Sequence, residues 1–223
     1  MIQRILEKAI QQRLGQGKAL ILFGARQVGK TTMLKNMLRE RDDVLWLNGD
    51  EQDVRSLFEN ASSTMLGAVI GKKKIVVIDE AQRIVNIGLC LKLIIDNIPD
   101  VQVVATGSSS FDLSNMINEP LTGRKIEYWM YPLSFGELVA HNGLLEEKRL
   151  LAHRLVYGSY PDVLNNVGDE KMVLSELADS YLYKDILMFD KIKKSDKLVK
   201  LLQALAFQMG SEVSYNEVSQ TWP

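Results

Sequence analysis

Four short apolar runs punctuate the first half of the chain: Ala19–Phe23, Val44–Leu47, Ile75–Ile78 and Val101–Ala105. Each is too short for a helix and is bounded by turn residues, and three are rich in β-branched side chains. Continuous apolar runs separated by helical patterns predict strands buried on both faces of a parallel sheet. The helical patterns between them cover Thr31–Arg39, Asp53–Ile70 with a break near Asn60, and Ile84–Ile98. Ahead of the first run, Ile2, Ile5, Leu6, Ala9, Ile10 and Leu14 recur at helical spacing until Gly15-Gln-Gly17 stops them. A fifth strand is predicted over Lys125–Tyr131, where Ile126, Tyr128 and Met130 alternate with Lys125, Glu127 and Trp129 before Pro132. Beyond that point the pattern turns helical: Phe135–His141, Glu146–Val156, Glu170–Met188 and Asp196–Met209. The prediction is an α/β body followed by a helical part, divided at Tyr131–Leu133.

Composition narrows this picture. Of 223 residues, 46% are hydrophobic and 25% charged, which supplies a core and excludes disorder or a fibrous repeat. Lys and Arg number 27 against 28 Asp and Glu, so the net charge of 27 − 28 = −1 gives no global electrostatic case for nucleic acid or an anionic membrane. Cys90 lies in an apolar helical stretch and reads as a small buried hydrophobe, and with His141 and His153 it is too little for a zinc site. Charge interrupts the first residues, as it would not in a signal peptide, and no run approaches the ~18 apolar residues that span a bilayer. The expectation is a soluble, cytoplasmic chain with no membrane partner.

The chemistry concentrates at the ends of predicted strands. Gly24-Ala25-Arg26-Gln27-Val28-Gly29-Lys30-Thr31 has the spacing GxxxxGK[ST] between a strand and a helix, with Thr32 following. Its glycines let backbone N–H groups turn inward around phosphate oxygens, and the helix N-terminus adds favourable dipole charge. Lys30 is expected on the β- and γ-phosphates of ATP, and the Thr31 hydroxyl on Mg2+. The run Ile75-Val-Val-Ile78-Asp79-Glu80 ends a buried strand in two carboxylates. Asp79 is the candidate metal holder, and Glu80 the candidate base for the attacking water. Val101-Gln-Val-Val-Ala-Thr106-Gly-Ser108-Ser109-Ser110 ends a further strand in hydroxyls. Ser108 is the first choice for a γ-phosphate or water contact, Thr106 and Ser109 are alternatives, and helix capping is the bland reading.

The segments GARQVGKTT, VVIDEAQR, VVATGSSS, EPLTGRKIEYWMYPLSFGEL and YGSYPDV together resemble the prokaryotic AAA+-type ATPases of the AAA_14 group, over about Ile2 to Glu217. The resemblance implies an additional-strand, catalytic-glutamate P-loop fold: a three-layer αβα core with strand order 5-1-4-3-2. A helical lid and a winged-helix element are implied to follow. The domains expected are 1–133 for the ATPase core, 134–209 for the lid and 210–223 for the start of the winged helix, within a DUF4143 region typical of the group. Arg124 becomes the candidate arginine that meets γ-phosphate charge, in cis or from an associated copy, with a surface ion pair as its alternative. Pro161, in Gly158-Ser-Tyr-Pro161, becomes a candidate adenine contact, with simple helix termination as its alternative. Two departures stand out: Ala25 replaces the proline usual in the loop, and the sequence stops at Thr221-Trp-Pro223, early in the winged-helix-like segment.

The function expected is an Mg2+-dependent ATPase that couples nucleotide state to a C-terminal module. Two other functions compete with it: an interaction switch that binds ATP and turns over slowly, and a DNA-associated ATPase module. The biological target, protein or DNA, is not legible.

Overall fold

The computed structural model describes residues 2–107, 117–118, 120–179, 195–214 and 216. Five strands form one sheet: β1 (Ala19–Phe23), β2 (Val44–Asn48), β3 (Ile75–Asp79), β4 (Gln102–Gly107) and β5 (Lys125–Trp129), in the order β2-β3-β4-β1-β5. Every pairing is parallel, with Leu20 opposite Val104, Ile21 opposite Glu127 and Val77 opposite Val104. This is the expected order, read from the other edge.

Alternation along the strands builds a core on each face. Ile21, Phe23, Val76, Ile78, Val103 and Ala105 join Phe58, Leu66, Ile87 and Leu91 on one side. Leu20, Leu22, Val77 and Val104 join Ile10, Met33, Leu34 and Met130 on the other. The first side is covered by α3 (Gln52–Glu59), α4 (Ser63–Ile70) and α5 (Ile87–Asn97), the second by α1 (Ile5–Gln11) and α2 (Lys30–Met37). Each fully buried aliphatic or aromatic side chain contributes about 1.5–3 kcal/mol, so both layers stabilise the sheet. The prediction of strands buried on both faces holds for β1, β3 and β4. It fails for β2, a half-buried edge; β5, predicted from alternation, is the other half-buried edge. Trp46 and Trp129 are exposed there because an edge strand has a neighbour on one side only.

The predicted break near Asn60 is real: Ser62 caps α4 by accepting from the Met65 N–H at 3.2 Å. Cys90 is buried in α5 as expected, its thiol pushed up by burial.

After β5 come α6 (Phe135–Asn142), α7 (Leu144–Arg149), α8 (Leu151–Tyr157) and α9 (Pro161–Asn165). The chain separates into two compact units, Met1–Val167 and Gly168–Pro223, so these four helices belong with the sheet. The Leu133 N–H donates to the Ser159 carbonyl at 3.0 Å. The second unit contains α10 (Glu170–Leu177) and α11 (Ser195–Phe207). Most of the winged-helix-like segment after Ser211 lies outside the described residues. No helix among the described residues is long and apolar enough to cross a membrane.

Candidate functional site

Parallel pairing brings the C-terminal ends of β1, β3 and β4 side by side, and the candidate residues leave the sheet together. The phosphate loop runs from β1 into α2, whose N-cap is Gly29 at φ 96°, a left-handed conformation that favours glycine. Gln27 is also left-handed, at φ 60°. Gly24 is required for a second reason: a Cβ there would collide with the carbonyl oxygen of Met130.

Lys30 is buried at the first position of α2, and its Nζ donates to the carbonyls of Gly24 at 2.8 Å and Ala25 at 2.9 Å. Burial lowers its pKa, and the carboxylates of Glu80 and Asp79 oppose that shift. Thr31 Oγ1 donates to Asp79 Oδ2 at 2.7 Å. Thr106 Oγ1 donates to Asp79 Oδ1 and accepts from the Glu80 N–H at 3.2 Å. Strand order explains the second contact, since β4 lies between β1 and β3. Among the alternatives for that strand end, the structure brings Thr106 to Asp79; Ser108 and Ser109 lie outside the described residues.

Glu80 stands just beyond β3 with φ 50°, and its Oε2 accepts from Gln82 Nε2 at 2.6 Å. Gly49, after β2, lets the backbone pass close by: a Cβ there would collide with the Glu80 carbonyl. Sequence reasoning missed Gly49 and Gln82, because nothing local marks either as a neighbour of Glu80. Arg26 is half-buried and near enough to depress the Lys30 pKa, Val28 is buried in the core, and Ala25, Gln27 and Thr32 are exposed.

One lysine, one hydroxyl and one carboxylate thus converge beside a helix N-terminus. A hydroxyl and a carboxylate are hard oxygen donors, the kind that Mg2+ takes alongside phosphate oxygens. The Thr31–Asp79 contact shows that the two reach a common point, so the donor set fits Mg2+.

Arg124 and Pro161 belong to segments other than the loop and the ends of β3 and β4. Arg124 precedes β5 at the opposite end of the sheet, where its carbonyl accepts from the Ala19 N–H at 2.8 Å. Ala19 pairs with Lys125 and Phe23 with Trp129, so the length of a strand, about 13 Å at 3.3 Å per residue, separates Arg124 from the loop. Its Nε donates to Asp96 at 2.7 Å. Within its own chain the structure gives this residue the surface ion pair with Asp96. Pro161 occupies the first turn of α9, and its neighbour Tyr160 packs on the α1–α2 side of the sheet. Ser159 Oγ donates to the Leu133 carbonyl at 2.5 Å, fixing this turn beside the end of β5.

The largest omission is Arg4. Its side chain is 9% exposed, and it donates to Glu137 Oε1 at 3.0 Å, the Val28 carbonyl at 2.8 Å and the Tyr131 carbonyl at 2.5 Å. The partner was partly readable, since Ser134-Phe-Gly-Glu137 forms a capping box at the start of α6.

The AAA_14 family, described as an AAA domain, matches residues 16–139. A domain of unknown function, DUF8612, matches residues 148–222, where DUF4143 was expected. An uncharacterised protein of Methanocaldococcus jannaschii is 22% identical over 97% of this chain and 52% of its own length. The chain thus spans about half of that relative. Among solved structures, the Walker-type ATPase PABY2304 of Pyrococcus abyssi superposes with a TM-score of 0.59 at 18% identity, covering 93% of this chain and 80% of that one. The ORC2 protein of Aeropyrum pernix, in ADPNP–ADP complexes, superposes at 0.54 with 15% identity, covering 97% and 77%. These likenesses establish the P-loop ATPase fold.

Proposed function

Because the chain belongs to the AAA_14 family of AAA domains, we propose that it binds ATP with Mg2+ and hydrolyses it to ADP and phosphate. We further propose that nucleotide state sets the conformation of its C-terminal region. The observation that carries this reading is the meeting of Thr31 and Asp79 at 2.7 Å beside buried Lys30. Thr31 and Asp79 would hold Mg2+, which would supply positive charge against the phosphate groups.

Lys30 has a clear part. Its ammonium exchanges the Gly24 and Ala25 carbonyls for phosphate oxygens, a trade of dipoles for full charges that favours the bound state. The N–H groups of residues 24–32 and the start of α2 cradle the remaining phosphate oxygens. Glu80 takes the proton from the attacking water as the water oxygen bonds to the γ-phosphorus, the bond from that phosphorus to the β,γ-bridging oxygen breaks, and ADP leaves with the bonding pair. Thr106 keeps Asp79 and the Glu80 backbone in fixed relation, so base and metal holder stay in register. Ser108, one residue beyond β4, is assigned to the γ-phosphate side of the site, and Pro161 to the adenine side. Arg124 is left only a role in an associated copy's site.

A slow-turnover binding switch is the second reading. The amide of Gln82 engages the Glu80 carboxylate at 2.6 Å, which competes with water for the base. Steady-state phosphate release separates the two. Wild type should hydrolyse ATP, and Glu80→Gln should lose ~10²–10⁴-fold in turnover, the range for a general base, with ATP affinity within a few-fold. Equal rates in the two proteins would overturn the assignment of Glu80. Tight binding without turnover in wild type would select the switch.

A further inference from the structure

The Arg4 guanidinium gathers three segments that are remote in sequence. Its acceptors lie 24, 127 and 133 residues away: Val28 in the phosphate loop, Tyr131 after β5, and Glu137 in α6. Glu137 in turn accepts from the Ile5 N–H at 2.9 Å and the Ser134 N–H at 2.8 Å. Arg4 and Glu137 are therefore buried charges whose partners are all specified, and one of those partners belongs to the loop.

The Val28 contact has a stereochemical consequence. In a trans peptide the C=O and the following N–H point in opposite directions. Arg4 holds the Val28 carbonyl outward, so the Gly29 N–H of the same plane is turned to the inner side of the loop, where a phosphate oxygen would accept it. A cationic donor on the carbonyl also polarises the peptide and strengthens that N–H. The same guanidinium is locked to Glu137, which caps α6. A change at the Val28–Gly29 peptide is thereby felt at α6.

We propose that Arg4 is a positioning residue of the phosphate loop, and that the Arg4–Glu137 pair transmits phosphate occupancy of the loop to α6. This rests on the ATP-binding reading above.

The test compares wild type, Arg4→Lys and the paired variant Arg4→Met with Glu137→Leu, using a non-hydrolysable ATP analogue and Mg2+. Lysine retains the charge but is a point donor that cannot serve three acceptors in a fork. Arg4→Lys should bind the analogue on the order of tenfold more weakly, the effect of losing one hydrogen bond to a charged group. The paired variant leaves no lone buried charge, and it gives the same readout if Arg4→Lys does not fold. Hydrogen exchange is read at saturating analogue. In wild type, protection should rise in the loop and also over residues 134–143. In both variants the loop should still be protected, and the response over 134–143 should be lost. Variants that bind and respond like wild type would overturn the proposal. So would a wild-type loop that gains protection while 134–143 does not. No protection of the wild-type loop at all would instead remove the ATP reading, and this proposal with it.

Discussion

Arg4 and Arg124 sit at opposite ends of the same sheet and carry the same charge, yet their surroundings differ in nearly every respect. Arg4 is 9% exposed at its side chain and bonds a carboxylate that is itself 6% exposed, together with two backbone carbonyls. Arg124 is 41% exposed and meets Asp96, 32% exposed. Water screens the second pair and leaves it little net value. The first pair is cut off from water, so each charge depends on the other. The contrast extends to the neighbours. Lys30, Thr31, Asp79 and Thr106 converge at the end of the sheet where Arg4 lies, whereas Arg124 shares its end with the solvent-facing Lys125–Glu127 ion pair. Depth, and the loop to which a side chain is tied, set the two arginines apart.

The sharpest way to break this contrast is to remove each arginine and measure stability. Arg4→Ala strands Glu137 in the interior, and a buried pair deprived of one partner costs about 3–5 kcal/mol. Urea unfolding should register that loss, and a change below about 1 kcal/mol would show that Arg4 is no more than a surface group.

Lys30→Ala comes next. It removes the cation that faces the β- and γ-phosphates, and hydrogen bonds to charged groups are worth about 1.5–3 kcal/mol each. Titration with a fluorescent ATP analogue should show affinity lower by roughly 10²-fold. Unchanged affinity would sink the phosphate-loop assignment.

Acid sharpens the comparison further. Burial pushes the Glu137 carboxyl up, but the N–H groups of Ser134 and Ile5, and then the Arg4 guanidinium, outweigh it and hold the group below its ordinary 4.5. A folded pKa below the unfolded value means that this stabilisation is complete above about 4.5 and is lost as pH falls through the folded value. Urea midpoints measured between about pH 3 and pH 7 should therefore fall on the acid side, and Glu137→Gln should flatten that fall. Glu147 contributes a parallel slope, since its bond with Arg154 lowers its pKa too. An unchanged acid limb in Glu137→Gln would assign the whole slope to other carboxylates.

The smallest effect belongs to Arg124→Ala. An exposed pair of this kind contributes about 0–1 kcal/mol, and its removal should leave the urea midpoint nearly unchanged. A loss of turnover with intact folding would support the role in an associated copy's site, and unchanged turnover would leave Arg124 the surface pair alone.

Much of the site could be read along the chain because its chemistry is local. A glycine-flanked loop needs eight consecutive residues to define it, and the strand leading into Asp79 and Glu80 announces itself by four apolar positions, Ile75 to Ile78. Arg4 could not be read in this way. A charged residue ahead of a helix looks like any solvated side chain, and its acceptors are 24 to 133 residues distant. Arg124 illustrates the reverse case: family likeness marks the residue, and only strand register shows which end of β5 it occupies. Helices α6–α9 show a similar limit, because periodicity predicts a helix without saying which body it packs against.

The sequence by itself determined the alternation of strands and helices, the phosphate loop and the carboxylate pair, since each depends on neighbours within a few residues. Only the tertiary structure decided that Thr106 stands against Asp79, that Gly49 must clear Glu80, and that Arg4 rather than Arg124 reaches the loop. Those outcomes depend on strand order and register, which bring distant segments within hydrogen-bond range and remove them from water. Removal from water turns an ordinary charge into one whose partner is obligatory.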